Sequence, residues 1–133
     1  MQTRRALLGL AMISCIGVAC VSQGAVAPAT GEHYIITEAE LARVSDLTLY
    51  EAVLRLRPHF LRSRTISAHG RPATAPVMLY LDGDWMESVD DLRRLTAAEV
   101  REVRFYEPQF ANARFGGHNN AGGAIAVITK TGS

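Results

Sequence analysis

The sequence predicts a small α+β domain, a mixed sheet with short helices, and three observations carry that prediction. Val77-Met78-Leu79-Tyr80-Leu81 is a continuous apolar run closed by Asp82-Gly83, as expected of a strand covered on both faces and ended by a turn in which glycine supplies a positive φ. Val103 and Phe105 alternate with Glu102 and Arg104, the period of a strand with one wet face. The S/T-x-x-E pattern recurs at Thr37/Glu40, Thr48/Glu51 and Thr96/Glu99, and in each the two side chains cap free amides at the start of a helical turn.

In chain order, residues 1–20 read as an export leader. Arg4 and Arg5 form a positive n-region, and Ala6 to Ala19 is an uncharged, mostly apolar run, shorter than the roughly 20 residues a membrane-spanning helix needs. Both cysteines, Cys15 and Cys20, lie here, so the domain that follows depends on packing rather than on an intramolecular disulfide. Gly17-Val18-Ala19-Cys20 resembles a lipobox and makes Cys20 the candidate lipidation residue, although Gly17 stands where the pattern has Leu, Ile or Val. Met12-Ile13-Ser14-Cys15 is a poorer second lipobox. Ala27-Pro28-Ala29 offers the small residues that a type I signal peptidase reads, so soluble secretion is the other reading. Residues 21–32, rich in Ala, Gly, Pro and Ser, read as a flexible linker, and residues 33–133 as one domain.

Within the domain, Tyr34-Ile35-Ile36 reads as a short strand handing over to a helix at Thr37. A second helix is expected over about 49–57, with Leu49, Ala52, Val53 and Leu56 on one face and Pro58 as its stop. Phe60 to Arg64 alternates weakly, as a short strand, and Ser67 to Pro76, with Gly70, Pro72 and Pro76, reads as a loop. Val77–Leu81 is expected to be the central strand. Ser88/Asp91 and Thr96/Glu99 each open a helical turn, 100–106 forms the half-wet strand, and a short helix runs from Pro108 through Ala113. A glycine-rich loop from Gly116 to Gly123 leads to a last strand over Ala124–Lys130.

Charge and motif content exclude several functions. Lysine and arginine number 14 against 13 acidic residues, too balanced to gather nucleic acid or press the protein onto anionic lipid. Without the leader's Arg4 and Arg5 the balance is 12 against 13, a formal −1. His33, His59, His69 and His118 are scattered without paired ligand spacing, and Asp82 and Asp84 flank a glycine but lack the rest of a calcium loop. The Gly116–Gly123 loop has no following Lys-Ser or Lys-Thr and leads into a strand, unlike a phosphate loop. With no G-x-S-x-G and no cysteine after the leader, the expectation is a protein that is not an enzyme and has no catalytic residue, metal or cofactor. Arg62, Arg64, Trp85 and the Gly116–Gly123 loop are the candidate contact residues.

From Ile36 to Lys130 the sequence resembles the plug domain of TonB-dependent outer-membrane receptors. Four pieces carry the resemblance: Ile36–Leu41 with the proline-stopped helix Leu49–Pro58; Leu79-Tyr80-Leu81-Asp82-Gly83; Ala98–Val103; and Ala113–Gly116 with Gly122-Gly123-Ala124-Ile125 through Thr129-Lys130. Only Thr131, Gly132 and Ser133 follow Lys130, so the expectation is a plug without its own barrel; residues 21–32 show no TonB box, so direct coupling to the energy-transducing protein is not expected. The resemblance implies a non-enzymatic, plug-like interaction module in the periplasm or at the outer membrane, touching the membrane only through a lipid anchor. Its partner would be an outer-membrane barrel or another envelope protein. The alternatives are a truncated or split component of a transport receptor, and a small periplasmic enzyme.

Overall fold

The computed structural model describes residues 31–116 and 118–132, which form an α+β domain on a five-stranded mixed sheet, with a separate two-stranded ribbon. A 3₁₀ turn at Glu32–Tyr34 precedes strand β1 (Ile35–Ile36), helix α1 (Glu38–Ala42) and helix α2 (Leu49–Leu56). After a 3₁₀ turn at Pro58–Leu61 come the ribbon strands β2 (Arg64–Ala68) and β3 (Arg71–Ala75). Strands β4 (Met78–Leu81) and β5 (Asp84–Met86) follow, then 3₁₀ segments at Val89–Arg94 and Ala97–Glu99. Strand β6 (Val100–Tyr106), helix α3 (Pro108–Phe115) and strand β7 (Ala124–Thr129) complete the domain. The sheet order is β1-β6-β7-β4-β5, with β4 and β7 parallel and the other pairs antiparallel.

The local signals close as their chemistry requires. The Glu40 amide donates to the Thr37 hydroxyl at 3.4 Å, and the Thr37 amide donates to the Glu40 carboxylate at 2.9 Å. Thr48 and Glu51 repeat the exchange at 3.3 and 3.1 Å, satisfying amides that the first helical turn leaves free. Helix α2 then buries Leu49, Ala52 and Val53. Arg57, just past its end, meets Glu40 of α1 at 2.9 Å and joins the two helices.

The main core lies on one face of the sheet, where Ile36, Leu79, Val103, Phe105, Ile125 and Val127 pack under Leu41, Leu49, Val53, Phe60 and Leu92. Burying side chains of this size is worth about 1.5–3 kcal/mol each. The Phe60 and Phe105 rings stack at 5.3 Å between centroids.

The chain entering β7 passes through a space that only glycine fits. A Cβ on Gly122 would collide with the Pro76 carbonyl, and one on Gly123, whose φ is +91, would lie 2.7 Å from the Phe105 ring. At the other end of β7, Asp82 (φ 50) and Gly83 (φ 99) form the two-residue turn between β4 and β5. The Asp82 carboxylate accepts from the Thr129 amide at 2.9 Å and from its hydroxyl at 2.8 Å, while the Asp82 amide donates to the Val127 carbonyl at 2.9 Å. Asp82 thus extends the β4–β7 ladder past its last strand residue.

Several expectations are corrected. Phe60 to Arg64 is not a strand: Pro58 opens a 3₁₀ turn that drives Phe60 into the core, and β2 begins only at Arg64. The segment from Ser67 to Pro76 is mostly a hairpin rather than a loop. His69 (φ 51) and Gly70 (φ 75) both adopt positive φ and make its two-residue turn, and Pro72 is tolerated because both strands of a ribbon are edges. The central strand is β7, with β4 one place from it. Strand β5 has no periodic signal of its own in the sequence, because three residues with Trp85 and Met86 are too few to show one.

Candidate functional site

The opposite face of the sheet carries a different chemistry. Residues Arg104, Tyr106, Ala126, Ile128 and Tyr80 point to this side, and α3 covers only part of it through Ala111 and Phe115. What remains open is a groove of about 430 Å³ lined by Asp82, Arg101, Arg104, Tyr106, Arg114, Phe115, Ala126 and Ile128 among others.

A β-bulge builds its charged rim. In Val100-Arg101-Glu102-Val103 the two valines are both buried although three residues apart, which strict alternation forbids. The pairing of β6 with β7 therefore slips between Val100 and Glu102, leaving Arg101 as the extra residue. Two successive charged side chains, Arg101 and Glu102, consequently line the same groove.

The polar groups of the groove differ in what already satisfies them. Glu102 Oε1 is held by Arg104, at 3.0 Å from Nε and 2.8 Å from Nη2, and Asp82 is spent on Thr129. Arg114, in the last turn of α3, lies 5.4 Å from the Tyr106 ring centroid and 5.6 Å from that of Phe115, a cation–π placement that leaves its N–H groups available. Neither Arg101 nor Arg114 has a carboxylate partner among the described residues.

Beside the groove runs an aromatic stripe. Tyr80 stacks on Phe115 at 3.9 Å, Tyr106 meets Phe115 edge-on at 5.4 Å, and Trp85 stacks on His118 at 4.5 Å. The fully buried Asn120 holds the loop that presents His118: its carbonyl oxygen accepts from the Tyr80 hydroxyl at 3.1 Å, and its amide donates to the His118 carbonyl at 3.1 Å and to Asn112 at 3.3 Å. Every polar atom of the Asn120 side chain is used, so burial carries no penalty.

The structure groups the sequence-derived contact candidates in two places, Trp85 with the Gly116–Gly123 loop and Arg62 with Arg64 beside one recess. Trp85, 43% exposed, joins the Gly116–Gly123 loop through His118. Arg64 instead pairs with Glu107 at 2.8 Å at the base of the ribbon, and Arg62 lies in a recess with His59. Cys20 lies outside the described residues. Arg101, Arg104 and Arg114 were missed; the V-x-x-V spacing of Val100 and Val103 was the signal for a bulge that aims two charges to one side.

His59 stacks on His33 at 4.3 Å, and its Nε2 is enclosed without a hydrogen-bond partner. Burial, and then the nearby charges of His33, Arg57 and Arg62, push its pKa below the ordinary 6.5, against a hydrogen bond with the His33 backbone that acts in the other direction. Stacked rings do not converge on a cation, and among the described residues no three His, Cys, Asp or Glu side chains are grouped to hold one. The arrangement on the second face suits binding: anion-directed N–H groups, exposed aromatic surface and a shallow apolar floor. No protein-family model, curated protein or solved structure matches the chain.

Proposed function

We propose that the chain is a non-enzymatic, plug-like interaction module of the bacterial envelope, exported to the periplasm or the periplasmic face of the outer membrane. One observation carries this reading. Three of the pieces in which the sequence resembles receptor plugs, Leu79–Gly83, Ala98–Val103 and Gly122–Lys130, occupy adjacent strands whose pairing depends on the motif residues themselves. Asp82 of the first piece accepts two hydrogen bonds from Thr129 of the last. The Gly122-Gly123 pair passes between the start of β4 and the end of β6, where a side chain would collide with Pro76 and Phe105. The resemblance therefore covers a physically coupled set of positions and not a scatter of short words.

Cross-linking in intact cells, followed by affinity capture and mass spectrometry, tests the reading, with a Cys20→Ala variant in parallel. Reproducible enrichment of envelope proteins over an untagged control is expected, and loss of that enrichment in Cys20→Ala would assign a role to anchoring. If an outer-membrane barrel dominates, the chain is a transport component working with a separate barrel. A capture profile identical to the control sinks the module reading.

A further inference from the structure

We propose that the groove on the second face of the sheet docks an extended, carboxylate-bearing peptide segment of a partner protein, with Arg101 and Arg114 as its two anchoring cations. This inference rests on the reading of the chain as an interaction module and names the chemistry of its partner.

Charge complementarity is the first ground. Three arginines and two carboxylates line the groove, a formal excess of one positive charge; Glu102 is paired with Arg104, and Asp82 accepts from the amide and hydroxyl of Thr129. The guanidiniums in the groove without a carboxylate partner among the described residues are those of Arg101 and Arg114, both exposed. A guanidinium is a planar fork of donors that matches a carboxylate in two-point fashion. Phe115 and Tyr106 beside Arg114 hold that cation in place, which reduces the entropy lost when it binds an anion.

The bulge is the second ground. It interrupts the ladder between β6 and β7, and besides letting Val100 and Val103 both face the core it presents Arg101 beside Glu102 in the groove. Bulges concentrate where a side chain must be re-aimed.

Shape selects among anionic partners. The site is a concavity with an apolar floor of Ala126 and Ile128, walled on one side by α3, whereas a lipid surface or a nucleic-acid backbone calls for a broad, strongly basic patch. Arginine and tyrosine around a partly apolar centre are the composition of protein–protein contacts. An extended segment alternating acidic and aromatic residues meets both the rim and the floor.

The test is an NMR titration of the full chain with a synthetic peptide of alternating glutamate and phenylalanine, against the same peptide with lysine replacing glutamate. Amide shifts are expected to cluster at 101–104, 114–115 and 126–128 for the acidic peptide alone. Arg101→Glu and Arg114→Glu each weaken its binding about tenfold, with unchanged thermal midpoints because both side chains are exposed. Arg55→Glu, an exposed charge reversal on α2, leaves binding unaltered. Shifts centred elsewhere, equal binding of the lysine peptide, equal loss in Arg55→Glu, or no binding would each overturn the proposal. So would groove-dependent binding of phosphatidylglycerol vesicles in place of the peptide.

The in-cell capture separates this inference from the reading beneath it. A captured partner that is retained by the Arg101→Glu/Arg114→Glu double variant leaves the module standing and removes the groove from it. Peptide binding at the groove without any captured partner does the reverse.

Discussion

The two faces of one sheet are built to opposite plans. On the first, β1, β6, β7 and β4 offer Ile36, Val103, Phe105, Ile125, Val127 and Leu79, and helices and 3₁₀ turns cover them completely. On the second, the same strands offer Arg104, Tyr106, Ala126, Ile128 and Tyr80, and a single eight-residue helix covers only part of them. The first face loses its water and with it any freedom to change partners. The second keeps arginines, a tryptophan and a shallow floor in contact with solvent, beside a small buried cluster of Tyr80, Ala111 and Ala124 and the hydrogen bonds of Asn120. The closed core and the open groove thereby lie on different sides of a layer one residue thick.

Substitutions that empty the first face should have the largest effect. Phe60→Ala removes a fully buried ring that stacks on Phe105 and is expected to cost about 3–5 kcal/mol, measured by urea denaturation. On the second face the vulnerable point is polar. Asn120→Ala leaves the Tyr80 hydroxyl without its partner and releases the loop carrying His118, an expected loss of about 1–3 kcal/mol. The Trp85 fluorescence spectrum should shift as its stacking partner moves. A loss from Asn120→Ala as large as that from Phe60→Ala would erase the proposed division between the faces.

Smaller effects sharpen the contrast. Thr48→Ala removes one capping box at the start of α2, and about 1 kcal/mol is expected from denaturation curves. The pH dependence of stability should register His59, beside the first-face core. Its folded pKa lies below the ordinary 6.5, so the unfolded chain binds the proton more readily. Stability is therefore complete above 6.5 and declines as pH falls toward the folded value. His59→Gln should flatten the thermal midpoint over that interval. At lower pH a separate loss sets in. For Glu40, hydrogen bonds from Thr37 and the charge of Arg57 outweigh the upward push of burial; for Glu51 and Glu99, hydrogen bonds from Thr48 and Thr96 dominate. All three carboxyls lie below 4.5, and the stability they contribute above that value is lost as pH falls through their folded values.

Much of the first face was legible in the sequence. Leu49, Ala52 and Val53 declare a helix face, Val77–Leu81 a doubly covered strand, and Thr37 and Thr48 their helix starts. These signals are complete within a few residues of chain. The second face was legible only in fragments. Trp85 and the Gly116–Gly123 loop stood out by type, but nothing in their separation along the chain places His118 on Trp85. In the ribbon β2–β3, Gly70, Pro72 and Pro76 carry loop statistics, while its pairing depends on two positive-φ residues and on edge strands in which a proline is tolerated.

By itself, then, the sequence determined the helix starts and stops, the strands with a strong apolar period, the Asp82-Gly83 turn and the α+β class. Each follows from bonds and contacts between residues close in the chain. Only the tertiary structure decided that β7 is central, that Asp82 holds Thr129 across 47 positions of chain, and that a bulge aims Arg101 into a groove shared with Arg114. These are long-range pairings, chosen by which surfaces fit once the local elements exist, and no local pattern carries that information.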